Sequence, residues 1–169
     1  LPPQGTPLAY TVVRAENDFG VIIDGEGVRA PIVIRGDDTN GGSTGTSASH
    51  DYIEIRGVIA KNSDSNNIAV AYVNHVKLIN VMSVDAGNGN TMGVLVTRSS
   101  FVLVEGAASF GNGRYQFASY LSNNVIFRNS VSRNDRMNGD STGAADGSAS
   151  TQPMGGFIAY ASYNVEFQN

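Results

Sequence analysis

The sequence predicts an all-β solenoid, in which short strands stack coil upon coil and no substantial helix is present. The first observation is the composition: the 169 residues include 20 Gly and only two Lys, while Val and Ile are plentiful. Such a mixture is typical of short strands separated by many turns, whereas a helical bundle would be rich in Leu, Glu and Lys. The other two observations are a repeated strand segment and a constant spacing between neighbouring strands.

The repeated segment alternates apolar and variable positions and ends on Gly or Asn. Its six copies are 31–36, 52–57, 75–80, 101–106, 124–129 and 164–169. Alternation with period two predicts a strand with one face in a core, and Gly or Asn at a fixed place predicts a turn with positive φ. Successive copies start 21, 23, 26, 23 and 40 residues apart, so the variation falls in one connection.

Two further strands complete each coil. One precedes the repeated segment, so that Ile68 lies eight residues before Val76 and Val94 eight before Val102. A third short run follows the turn, at 58–60, 81–83, 107–109 and 130–132. An antiparallel sandwich or meander would also give many short strands, but it would not explain a turn residue in one column. Three strands per repeat therefore predict a solenoid of about six coils.

The strands that end on Asn or Gly at this spacing resemble those of the right-handed parallel β-helix of the pectate-lyase-like superfamily, over residues 21–169. The resemblance implies that residues 52–56 and their equivalents form the second of three sheets, and that the turn with Asn joins it to the third. It assigns 68–72, 93–97, 116–120 and 156–160 to the first sheet. Asn80, Asn129 and Asn169 would form the family's asparagine ladder, with Gly36, Gly57 and Gly106 in equivalent places.

Stacked coils place equivalent side chains in columns. Three inward columns are expected: Ile53, Val76, Val102, Val125 and Val165; Ile55, Leu78, Val104, Phe127 and Phe167; and Ile68, Val94, Phe117 and Phe157. On the outer face of the second sheet, we expect Glu54 beside Lys77 and Glu105 beside Arg128. Such opposite charges on adjacent strands are favourable but small contributions.

The predicted organisation is an amino-terminal cap segment at 1–20 and a β-helix at 21–169 with a long loop at 133–155. A solenoid needs caps, because a terminal coil exposes its core and its strand edge. Phe157, Val165 and Phe167 are expected to face an open carboxyl end. We expect further coils of a longer chain, or a copy of the protein, to cover that end.

Several function classes are disfavoured by composition. A net charge of −4 argues against a nucleic-acid partner, and no run of 18 apolar residues is present to span a membrane. The absence of Cys excludes disulfides and Cys-based metal sites. A chain that lacks Cys, is poor in Lys and is rich in Asn, Ser and Gly fits an extracellular or cell-surface protein of a microbe.

Members of the resembled superfamily commonly bind or cleave polysaccharides on the outer face of the first sheet. Its outward columns here are Ala69, Leu95, Ala118 and Ile158, and Ala71, Thr97, Tyr120 and Tyr160. Tyr120 and Tyr160, one coil apart, are expected to stack on sugar rings, while Arg114 and Arg136 bind hydroxyls or carboxylates. The same stripe could instead form a protein contact or be buried by the long loop.

The long loop holds the candidate metal ligands. Asp135, Asp140 and Asp146 lie in it, and Ca²⁺ takes such carboxylate oxygens; the alternative is a polar surface excursion. In the resembled superfamily, a lyase needs a cluster of Asp to bind Ca²⁺ and a Lys or Arg base to remove a proton, and a hydrolase needs paired carboxylates. The outward columns of the first sheet hold neither, so no catalytic residue is assigned and Ca²⁺ is the one cofactor considered.

Three functional hypotheses remain from the sequence. The first is a secreted β-helix domain that binds polysaccharide, as a piece of a larger lyase-like protein. The second is a structural or filament-forming solenoid that assembles through its open end. The third is a Ca²⁺-dependent polysaccharide lyase that uses the 133–155 loop.

Overall fold

The fold is built from strands that pair with the strand one coil away. A computed structural model describes residues 3–36, 50–87, 90–133 and 155–169, which contain sixteen strands and no helix. All strand pairs between them are parallel and form three sheets. The chain is a right-handed parallel β-helix, and the predicted fold class is confirmed.

The three sheets take their strands in a fixed rotation. The first sheet contains β3 (Ile32–Arg35), β6 (Ile68–Ala71), β9 (Met92–Thr97), β12 (Tyr115–Tyr120) and β15 (Gly155–Tyr160). The second contains β1 (Thr11–Arg14), β4 (Ile53–Arg56), β7 (Asn74–Ile79), β10 (Ser100–Glu105), β13 (Asn123–Arg128) and β16 (Tyr163–Gln168). The third contains β2 (Val21–Asp24), β5 (Val58–Lys61), β8 (Met82–Val84), β11 (Ala108–Phe110) and β14 (Val131–Arg133).

The core includes the three predicted inward columns and also buried residues outside them, such as Val58, Val70 and Val96. Ile53 pairs with Val76, Val102 with both Val76 and Val125, and the column continues to Val165. Its middle members are fully buried, as are Leu78 and Phe117 in the other two columns. Rings also stack between coils, with centroids 4.7 Å apart for Phe117 and Phe157. In the last coil, Phe167 is 49% exposed.

The turn between the second and third sheets has the predicted left-handed residue. Gly57, Asn80, Gly106 and Asn129 all have φ between 48° and 72°. Gly106 leaves room for the neighbouring amide, because a Cβ there would lie 2.3 Å from Asn80 Oδ1. Asn80 Nδ2 donates a hydrogen bond to Asp18 Oδ2 at 2.6 Å, so an aspartate serves as the partner at the amino end.

One predicted assignment is wrong. The segment 31–36 aligns by sequence with second-sheet segments, but its strand β3 pairs with β6 in the first sheet. Gly36 is therefore not equivalent to Gly57; its amide donates to the Ala71 carbonyl. The position in the second sheet is filled by β1, from the range assigned to the cap, with Thr11 in register with Ile53. Alternation cannot separate the two cases, because strands of both sheets have one buried face.

Charges on the second sheet follow the prediction only in part. Arg128 binds Glu105 at 2.9 Å, as expected. Glu54 and Lys77 lie side by side, but Glu54 binds Arg56 at 2.8 Å and Lys77 Nζ lies 4.1 Å from the centre of the Tyr10 ring. The guanidinium reaches the carboxylate along its own strand, so the predicted pair of Glu54 with Lys77 does not form.

Candidate functional site

The outer face of the first sheet carries a cleft of about 470 Å³. Tyr120 and Tyr160 lie in register on neighbouring strands, as do Ala118 and Ile158. Arg114 enters the same cleft from the turn before β12, and Asn90 and Met92 also line it. The structure therefore brings together three of the four residues that the sequence indicated for sugar binding. The fourth, Arg136, lies outside the described residues.

The rings of Tyr120 and Tyr160 stack on each other. Their rings are nearly parallel, with centroids 5.5 Å apart. The guanidinium of Arg98 lies 5.8 Å from the centre of the Tyr120 ring. Tyr160, which is 63% exposed, therefore has the larger exposed aromatic surface, and the Tyr120 ring packs against one face of it.

Arg114 is held at the rim of the cleft by two contacts. Its NH1 donates a hydrogen bond to Asn90 Oδ1 at 2.7 Å. Its guanidinium carbon lies 4.6 Å from the centre of the Tyr115 ring, which is within the range of a cation–π interaction. These contacts fix the direction of the side chain in advance, so binding a ligand would cost less side-chain entropy.

A second row of charged and aromatic groups runs beside the cleft and was missed by the sequence reasoning. The Tyr72 ring has Arg35 and Arg98 each at 5.5 Å from its centre. Tyr72 and Arg98 follow first-sheet strands and have φ of 57° and 46°. Tyrosine and arginine are uncommon in the left-handed region, so these positions did not stand out as a column. Each of these residues directly follows the last residue of a first-sheet strand, and this constant position is the signal by which they could have been identified.

A buried amide cluster supports the segment that carries Arg114. Asn112 Oδ1 accepts a hydrogen bond from the Ala86 amide at 2.8 Å, and its Nδ2 donates to Gln116 Oε1 at 2.7 Å and to Ser109 Oγ at 2.8 Å. Asn67 donates to the same Asn112 oxygen at 3.2 Å. Asn112 lies in the connection between β11 and β12. Its amide joins two coils at the corner where the chain enters the first sheet.

The candidate metal ligands cannot be placed. Asp135, Asp140 and Asp146 lie outside the described residues, as does most of the 133–155 loop. Among residues 3–36, 50–87, 90–133 and 155–169, no three His, Cys, Asp or Glu side chains are grouped as a metal site. That part of the chain also holds no helix that is long and apolar enough to cross a membrane.

Comparisons with known proteins add no relative. No family model matches the sequence, and neither a search of curated proteins nor a search of solved structures gives a match. The β-helix is therefore established by the chain's own strand pairing. The functional argument depends on the chemistry of the surfaces described above.

Proposed function

We propose that the protein is an extracellular or cell-surface, pectate-lyase-like β-helix that binds polysaccharide in the cleft on its first sheet. The observation that carries the proposal is the convergence of Arg114, Tyr120 and Tyr160 in one cleft on the face where the resembled superfamily binds sugars. Small-ligand sites usually combine aromatic walls with a few directed polar groups.

The charges favour an acidic polysaccharide. Arg114 lies in the cleft and Arg98 beside it, and the described residues that line the cleft include no carboxylate. A guanidinium can bind a carboxylate with two parallel hydrogen bonds, which gives both affinity and orientation. A uronate or sulfated chain would therefore gain more from this surface than a neutral chain.

Binding rather than cleavage is the activity that these residues support. The groups in the cleft can contact a sugar and its charge, but they do not form a carboxylate pair or a metal site. Ca²⁺-dependent lysis through Asp135, Asp140 and Asp146, and assembly into a filament through the carboxyl end, stay predictions of the sequence.

The test is electrophoresis in native gels that contain polygalacturonate or alginate. We expect Tyr160→Ala and Arg114→Ala each to weaken retardation about tenfold, because a lost charged hydrogen bond or aromatic contact is worth about 1.4 kcal/mol. Tyr163→Ala is the matched control, since Tyr163 is 65% exposed in the same coil but lies on the second sheet. Retardation that is equal in all three variants would contradict the proposal, as would the absence of retardation in the wild type.

A further inference from the structure

The outer face of the second sheet carries a separate groove of about 550 Å³. It extends from Tyr10, next to the first edge strand, to Glu166 on the last. Apart from Tyr10, whose ring lies against Lys77 of β7, the lining residues lie on β7, β10, β13 and β16. Three strand spacings separate β7 from β16, so this part of the groove is about 14 Å long and runs parallel to the helix axis. Any ligand that fills it is therefore extended and contacts one coil after another.

The rings of His75 and Phe101 form one wall of the groove, and Tyr52 continues their stack beyond the lining. Tyr52, His75 and Phe101 occupy equivalent left-handed positions, with φ of 57° or 58°. The ring centroids are 4.5 Å apart for Tyr52 and His75 and 4.8 Å apart for His75 and Phe101, and the planes are nearly parallel. Phe101 ends the stack and is 53% exposed.

Amides continue the same column where the rings end. Asn124 and Asn164 take the next two left-handed positions, and Asn164 Nδ2 donates to Asn124 Oδ1 at 3.1 Å. Leu103 and Ile126 form a half-buried apolar floor, and Glu166 stands in register with Ile126 on the neighbouring strand. The carboxyl half of the groove thus combines an apolar floor with two amides and a carboxylate.

We propose that this second-sheet groove binds an extended, uncharged polysaccharide. A neutral sugar presents apolar C–H faces and polar hydroxyl edges, which match the apolar floor and the amide and carboxylate oxygens. The described residues that line the groove include no Lys or Arg; Lys77 lies beside its amino end, where its ammonium group is 4.1 Å from the centre of the Tyr10 ring. In the carboxyl half, Glu166 would repel an acidic chain. The chemistry is the opposite of that in the first-sheet cleft. A molecule with both sites would hold a neutral and an acidic polysaccharide together.

The inference does not depend on the function of the first-sheet cleft, and its test separates the two. Native gels with hydroxyethyl cellulose, β-1,3-glucan or galactomannan serve as the probes. Phe101→Asn places at 101 the residue that the same column uses at 124 and 164, so the left-handed turn is retained. We expect at least one gel to retard the wild type, and Phe101→Asn and Glu166→Ala to weaken that retardation about tenfold and fivefold.

Leu121→Asn is the matched control, because Leu121 is an exposed apolar residue at a left-handed position on another column. It should bind neutral glycans like the wild type, and so should Tyr160→Ala. The inference is overturned if none of the three gels retards the wild type, or if Phe101→Asn and Glu166→Ala bind as tightly as it does. Loss of neutral-glycan binding in Tyr160→Ala would overturn it too, by placing those glycans in the first-sheet cleft.

Discussion

The first-sheet cleft and the second-sheet groove are built by the same rule from different side chains. In both, residues at one end of a strand take left-handed φ and stack from coil to coil. Tyr72 and Arg98 directly follow first-sheet strands, whereas His75 and Phe101 are the second residues of their second-sheet strands. Beside the cleft the stack alternates cation and ring, with Arg98 between Tyr72 and Tyr120. In the groove it is ring on ring and then amide on amide. Because the strands pair in parallel register, residues at one position of the repeat lie in a continuous column across the coils. The side chains in that column determine the chemistry of the face.

The two faces also differ in what supports them. Beneath the turn into the cleft lies the amide cluster of Asn67, Asn112 and Gln116, whose side chains are fully buried. The corner between the first and second sheets is supported by serines instead: the amides of Ser99 and Ser122 donate to Ser122 Oγ and Ser162 Oγ at 3.2 Å and 3.1 Å. The cleft should therefore be sensitive to single buried amides.

The largest expected effect is that of Asn112→Ala. It removes an acceptor for the buried Ala86 amide and both donors to Ser109 and Gln116, and leaves Gln116 Oε1 with the longer hydrogen bond that Ser109 Oγ donates at 3.3 Å. We expect the free energy of unfolding to fall by about 3 kcal/mol, measured by urea denaturation. Retardation by polygalacturonate should weaken more than retardation by a neutral glycan, because Arg114 follows Asn112 closely. The control Asn17→Ala, at an exposed site, should shift the midpoint little, and an equal shift in both variants would contradict the role of the cluster.

These columns show what can be predicted from a sequence of this kind. The inward positions followed from alternation, since an apolar residue on every second place of a strand has one core to face. The outward tyrosines followed for the same reason. The stacks of Tyr72 with Arg98 and of His75 with Phe101 did not. Tyr72 and Arg98 lie just after strands, and His75 and Phe101 hold the first place of the repeated segment, where the residue type changes from coil to coil and only the left-handed φ is shared. Asn112 was missed because its partners Asn67, Ser83 and Ala86 belong to other coils.

The segment 31–36 shows a second limit. Its pattern predicts a strand correctly but leaves the choice of sheet open, since first-sheet and second-sheet strands alternate alike. The choice is made by β1, whose Thr11–Arg14 pairs with Ile53–Arg56 and fills the second-sheet place in that coil. A tertiary contact thus decides what local periodicity cannot.

A smaller effect is expected from Arg98→Gln, which tests whether the cation stack distinguishes the two faces. The substitution removes the guanidinium between the Tyr72 and Tyr120 rings. A cation–π contact at a partly exposed site is worth about 1 kcal/mol, so we expect about fivefold weaker binding to polygalacturonate and a weaker dependence on salt. Binding to neutral glycans should not change. Arg56→Gln, on the second sheet, is the control, and an equal loss in that variant would mean that total charge, not the stack, attracts the acidic chain.

The smallest effect concerns the ion pair that lies on the second sheet next to the neutral groove. The hydrogen bond that Arg128 donates to Glu105 lowers the pKa of the Glu105 carboxyl and raises the pKa of the Arg128 guanidinium. Because the folded pKa of Glu105 lies below its unfolded value of about 4.3, the pair stabilises the fold above that pH and the contribution is lost as the pH falls through the folded pKa. Glu105→Gln should therefore lower the melting temperature slightly at pH 7 and not below about pH 3. A difference in melting temperature that persists unchanged in acid would show that packing, not charge, accounts for it.

Neutral-glycan binding should be the same in Glu105→Gln and the wild type, because the pair of Glu105 and Arg128 lies outside the lining of the groove.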